Sequence, residues 1–142
     1  MGLISKLKSV FFRSGIKGIK SFEQVLLRES TMRTTTEYEI NGGDGATLSL
    51  YRIRYTGVEE RVLEKSVRCD GESIAALLNS CGVHRWDGFH GKHPRHVSDG
   101  TVFRFHATVN GGVDIRADGS ARFPKGYREL VRYLDSLLAK TE

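Results

Sequence analysis

Between Thr34 and Ile40 the chain alternates, with Thr34, Thr36, Tyr38 and Ile40 on one side and Thr35, Glu37 and Glu39 on the other. A period of two in β-branched and aromatic residues predicts a half-buried strand. Asn41-Gly42-Gly43-Asp44-Gly45 supplies residues that tolerate positive φ, as a chain reversal requires. Leu48 to Tyr55 alternates again, Tyr51, Ile53 and Tyr55 opposite Leu50, Arg52 and Arg54. Gly57 offers a turn into a third strand near Arg61 to Arg68, completing a meander.

The period then lengthens. Asp70 reads as an N-cap, Ile74, Leu77, Leu78 and Cys81 share one helical face at i, i+3, i+4 and i+7, and Gly82 suits the position just past the helix end. An irregular stretch from Val83 to Gly100 follows. Phe103, Phe105, Ala107 and Val109 next alternate with Arg104, His106 and Thr108; Asn110-Gly111 is a strong hairpin signal, and Val113, Ile115 and Ala117 continue the inward face. Pro124 suits the first turn of a helix that lines up Tyr127, Leu130, Val131, Leu134 and Leu138.

Ahead of the strands, Leu3, Leu7, Val10 and Phe11 form one helical stripe, with Lys6, Lys8 and Arg13 off it and a break near Ser14 and Gly15. Ile16, Ile19, Val25 and Leu26 predict a second short helix, which Gly15 and Gly18 weaken. The expected order is therefore arm, βββ, α, ββ, α: an α+β fold with a mainly antiparallel sheet of about five strands and helices over one face. The arm is assigned residues 1–30, and the single α+β domain residues 31–142.

Charge sharpens this division. The chain has 22 Lys and Arg against 17 Asp and Glu, a net charge of +5. Residues 1–22 hold Lys6, Lys8, Arg13, Lys17 and Lys20 and no acid, so the rest of the chain is neutral. A nucleic-acid-binding domain needs a basic face on the folded body, and this distribution argues against one. Arg52, Arg54 and Arg104 interleave with Tyr51, Tyr55 and Phe103, but alternation is expected to put rings and guanidinium groups on opposite faces. The arm instead suits an anionic membrane surface, with Leu3, Leu7, Phe11 and Phe12 as apolar contacts and Lys6 and Lys8 as cations.

The uncharged stretch Ser9 to Phe12 is too short for a secretory signal core, and Lys6 stands where a myristoylation motif wants Ser or Thr. Cys69 and Cys81 flank the predicted helix, a separation beyond the roughly 7 Å reach of a disulfide, which implies free thiols in a reducing compartment. The expected location is the cytoplasm, with the arm able to reach the inner face of the membrane. Ser73 to Val83, a run free of acidic and basic side chains, falls well short of the roughly 20 apolar residues that span a bilayer.

Candidate chemistry concentrates between His84 and Gly100. His90, His93 and His96, with Asp87 and Asp99 nearby, could supply three or four metal ligands, although Gly91 and Pro94 prevent a helix from aligning them. The competing reading is a solvated basic loop. Trp86 and Phe89 bracket the Asp87-Gly88 turn and read first as anchors of the long connection, second as a contact surface together with Asp87, His90, His96 and Asp99. Cys81 beside His84 mimics a nucleophile and base, but Cys81 belongs to an apolar helical stripe. No Walker A loop, G-x-S-x-G elbow or strand–G-x-G-x-x-G–helix unit is present, and no cofactor is implied.

Trp86-Asp87-Gly88-Phe89, Val97-Ser98-Asp99-Gly100, Ala117-Asp118-Gly119 and Phe123-Pro124-Lys125-Gly126-Tyr127-Arg128-Glu129 together resemble an uncharacterised family of small bacterial proteins. That family is similar in its W-[DN]-G-F, V-x-D-G, A-x-G and P-x-x-Y-x-E motifs, over about residues 33–138. The resemblance implies a shared fold and a bacterial source, and no reaction. The positions of His90, His93 and His96 are more often Asn, Ser, Lys or Asp in that family's pattern, which weakens a metal site.

The functional expectation is a non-catalytic module that binds a protein or peptide through the Trp86 to Gly100 connection and the adjacent sheet face. Its rivals are a metal-assisted hydrolase on the same loop and a peripheral membrane protein held by the arm.

Overall fold

A computed structural model describes residues 16–43, 45–95 and 100–140. Among these the chain runs β1 (Phe22–Ser30), β2 (Thr35–Asn41), β3 (Ala46–Tyr55), β4 (Glu59–Cys69), α1 (Gly71–Ser80), a 3-10 turn (Val83–Arg85), β5 (His90–Gly91), β6 (Val102–Val109), β7 (Val113–Ser120) and α2 (Tyr127–Ala139). The strands form one sheet in the order β4-β3-β2-β1-β6-β7-β5. All pairs are antiparallel except β5 with β7.

The fold is α+β as expected, but its sheet has seven strands where the sequence suggests about five. The larger correction is β1. Residues 22–30, read as part of the arm and in part as a second short helix, are a central strand paired with β2 on one side and β6 on the other. Phe-Glu-Gln-Val-Leu-Leu-Arg-Glu-Ser carries helix-forming residues and no clean alternation. Backbone hydrogen bonds on both flanks override that local preference. The expected amphipathic arm helix, with Leu3, Lys6, Leu7, Lys8, Phe11 and Phe12, lies outside the described residues.

One sheet face packs on both helices. Val25, Leu27, Tyr38, Ile40, Leu48, Phe103, Phe105, Ala107 and Ile115 meet Ile74, Leu78, Leu130, Leu134 and Leu138 in one buried cluster. Each fully buried Leu or Ile there contributes about 1.5–3 kcal/mol. Asp70 caps α1 by accepting from Ser73 N at 3.1 Å, and Gly82 follows in the left-handed region at φ 76°. Two phenols tie α2 to the strands: Tyr38 on β2 donates to Asp135 at 2.6 Å, and Tyr127 on α2 donates to Glu29 on β1. Burial first, and these carboxylates second, push both phenol pKa values above the ordinary 10.0.

Ahead of β1 the chain is held by two asparagines. Asn79 accepts from Ile19 N at 2.7 Å and donates to Ile19 O at 2.8 Å. Asn110, in the β6–β7 hairpin at φ 51°, accepts from Lys20 N at 2.7 Å and donates to Gly18 O at 2.9 Å. These side chains stand in for a strand partner where regular pairing ends.

Among the described residues, no helix is long and apolar enough to cross a membrane.

Candidate functional site: the open face of the sheet

Strand alternation sends every second residue away from the helices. Register then sets the open face out in rows across neighbouring strands. The first runs Glu37 (β2), Arg28 (β1), Arg104 (β6), Asp118 (β7), His90 (β5). The second runs Glu39, Leu26, His106, Arg116, and the third Asn41, Gln24, Thr108, Asp114.

The β4 end of this face curls inward. A register shift between Leu50 and Tyr51 marks a bulge in the β3–β4 pair, the kind of irregularity that bends a sheet. As a result Arg28 on β1 reaches Glu59 on β4 at 3.2 Å, although strands three apart in a flat sheet stand about 14 Å apart. Arg61 on β4 likewise meets Glu37 on β2 at 2.8 Å and stacks 3.8 Å from the Tyr51 ring. Glu37, only 8% exposed, accepts from both Arg28 and Arg61 and so is charge-balanced where it is buried. The hydrogen bond from Arg28 holds the Glu59 carboxyl below its ordinary value.

Beside this closed network is a groove of about 640 Å³ on the open face, bordered by Leu26, Arg28, Phe89, Arg104, His106 and Arg116. Its wall is the first part of the connection the sequence singled out, at Gly88, Phe89 and His90. Asp87 accepts from Arg116 N at 2.9 Å, Gly88 N donates to Arg116 O at 2.9 Å, and Asp118 N donates to Phe89 O at 3.0 Å. Residues 87–89 thus cover the edge of β7 and leave the Phe89 ring half-buried beside the groove.

Trp86 departs from the proposed contact surface. It is 2% exposed, donates from Nε1 to Lys125 O at 3.0 Å, and meets Phe105 edge-on at 4.9 Å. The indole therefore pins the connection onto α2 and the core and offers a partner nothing. His90 is exposed and pairs through Nδ1 with Asp118; His93 pairs through Nδ1 with Ser120 Oγ at 2.7 Å. The two imidazoles turn to separate partners on β7. Among the described residues no group of three His, Cys, Asp or Glu side chains stands close enough to hold a metal ion. His96 and Asp99 lie outside those residues.

Cys81 is buried and Cys69 half-buried, both free, and burial raises both thiol pKa values. Neither is poised as a thiolate nucleophile.

Sequence reasoning missed Leu26, Arg28, Arg104, His106 and Arg116 as a set. Alternation did place Arg104 and His106 on one face. What it could not give was β1 between β2 and β6, the strand that brings Arg28 and Leu26 beside them. Arg104 also shares its face with Tyr51, contrary to the expected separation of rings from guanidinium groups, although Arg61 covers that ring.

A scan against protein-family models finds no match for the chain, and a search of curated proteins finds none similar to it.

Proposed function

We propose that the domain is a non-catalytic binding module that receives a protein or peptide partner on its open sheet face. The observation carrying this reading is the groove of about 640 Å³ between the β1–β6–β7 surface and the Phe89 wall. Helices cover the other face, so this one keeps solvent-facing side chains on central strands, and the half-buried Leu26 and Phe89 give it apolar contact area. In this reading the start of that connection, from Trp86 to His90, builds the wall, with Trp86 as its internal anchor and Phe89 and His90 as its contact residues. The proposed setting is the bacterial cytoplasm, where Cys69 and Cys81 remain reduced.

Site-specific photocrosslinking in the native cell tests the surface. A photoreactive residue replacing Leu26 is expected to give a discrete adduct, and the same residue replacing Ser136, exposed on α2, is expected to give none. Adducts at Ser136 with none at Leu26 would remove the open face as the contact surface.

A further inference from the structure

Arg104 stands in an unfavourable electrostatic position. It lies directly opposite Arg28 in the β1–β6 pair, and like charges facing each other across strands are destabilising. Arg28 is compensated by Glu37 at 3.1 Å and Glu59 at 3.2 Å. Arg104 is not. Its neighbour on the other side is Asp118, whose carboxylate bonds His90 Nδ1 and forms no ion pair with Arg104. Among the described residues, the Arg104 guanidinium has no hydrogen bond, ion pair or ring contact.

Arg116 lies diagonally across β6–β7 from Arg104, since His106 opposes Arg116 and Arg104 opposes Asp118. Diagonal neighbours on one face have Cβ atoms within about 7–8 Å, which lets two guanidinium groups converge on one anion. The side chain of Arg116 also makes no ion pair or hydrogen bond among the described residues, its backbone N–H alone being held by Asp87. Asp114, the nearest acid in the third row, is engaged by His106 at 3.0 Å and Thr108 at 3.2 Å; those bonds first, and the nearby charges of His106 and Arg116 after them, lower its pKa, but it forms no ion pair with Arg116. Every carboxylate beside the two arginines thus has another partner. Arg104 also borders a second depression of about 430 Å³ that passes Lys92 and His93, so the cationic track continues over the β7 edge.

We infer that Arg104 and Arg116 form an anion-binding pair for an acidic segment of the partner, an extended peptide with Asp or Glu on the arginines and an apolar side chain on Leu26 and Phe89. In an extended chain, residues two apart point the same way at about 6.8 Å spacing. Leu26 is two residues from Arg28, the residue opposite Arg104, on the same face of β1, which is the same step. The inference rests on the reading of the open face as the binding surface and adds the chemistry of what it binds. An acidic peptide supplies the missing negative charge through charge-assisted, bidentate contacts that suit arginine.

Fluorescence anisotropy with the full chain tests it, using a short fluorescein-labelled peptide of Glu and Ser with one Phe, and its Gln-for-Glu counterpart. The acidic peptide is expected to bind, to weaken as salt is raised, and to bind about tenfold less tightly to each of Arg104→Gln and Arg116→Gln. Arg132→Gln, on the exposed face of α2, is expected to bind like the parent. Equal binding of the Gln counterpart, or unchanged affinity in the double Arg104→Gln/Arg116→Gln variant, would overturn the assignment. So would tighter binding of a single-stranded oligonucleotide than of the peptide. Competition by inorganic phosphate at matched ionic strength supports the anion pair; its failure to compete counts against it.

Unliganded Arg104→Gln is further expected to have a melting temperature at or above the parent's, because the like-charge contact with Arg28 is gone. A clear fall would show that Arg104 is structurally satisfied, against the inference. A groove crosslink at Leu26 without acidic-peptide binding would retain the surface and reject the acidic class, so the two proposals fail separately.

Discussion

Gly126 opens α2 against the end of α1, and a Cβ there would lie 1.8 Å from the Cys81 carbonyl oxygen. Its φ is +93°, in the region L-residues avoid. Gly126→Ala therefore combines backbone strain with a collision against main chain, which cannot rotate aside as a side chain does. The two effects can be separated. Gly57, in the β3–β4 turn, has nearly the same φ, +95°, with nothing within 4 Å of a built Cβ. Gly57→Ala should lose strain energy alone, about 1–2 kcal/mol. Gly126→Ala adds an overpacking cost of about 1–3 kcal/mol as α2 is displaced, for a total of about 2–5 kcal/mol. Against a typical domain stability of about 5–15 kcal/mol, that difference is easily read. Urea unfolding of both variants, followed by circular dichroism, gives the two losses with a common slope. Equal losses at both positions would mean that the α1–α2 junction yields freely to an added methyl group, against the collision seen at Cys81. The junction bears on the groove because Lys125, beside Gly126, accepts the Trp86 indole that anchors the wall.

Asn79→Ala removes both hydrogen bonds to Ile19 and should cost about 1–3 kcal/mol, with proteolysis near residues 16–21 accelerating before global unfolding; unchanged proteolysis would mean the clamp is dispensable. The alkaline limb of stability should depend on Tyr38 and Tyr127. Their folded pKa values lie above 10.0, so the folded state keeps protons that the unfolded chain releases, and their contribution is complete below pH 10 and is lost as pH rises further. Tyr38→Phe/Tyr127→Phe should accordingly be less stable at pH 7 yet show a flatter decline above pH 10 in urea titrations. An equally steep decline would assign that limb to other groups.

The elements legible from residue type alone are those whose signals are local. Asp70 and Gly82 bounded α1 because a cap needs one acceptor and one left-handed residue, both readable from residue type. Asn110-Gly111 placed the β6–β7 hairpin for the same reason, and the four-residue-spaced leucines of α2 marked its buried stripe. Free cysteines also followed from their separation along the chain.

Tertiary structure decided what depends on partners distant in sequence. β1 is a strand because β2 and β6 pair with it on both sides, a condition no window of nine residues contains. β5 exists by a two-residue parallel pairing with β7, too short to carry a period. The candidate site follows from the same cause. Arg28, Arg104 and Arg116 are separated by long stretches of chain, and the β1–β6–β7 register sets them on one face. Whether an arginine is neutralised depends on which carboxylates its neighbours have already claimed. That allocation, with Glu37 and Glu59 given to Arg28 and Asp118 given to His90, is a property of the assembled sheet and leaves Arg104 and Arg116 without an ion pair among the described residues.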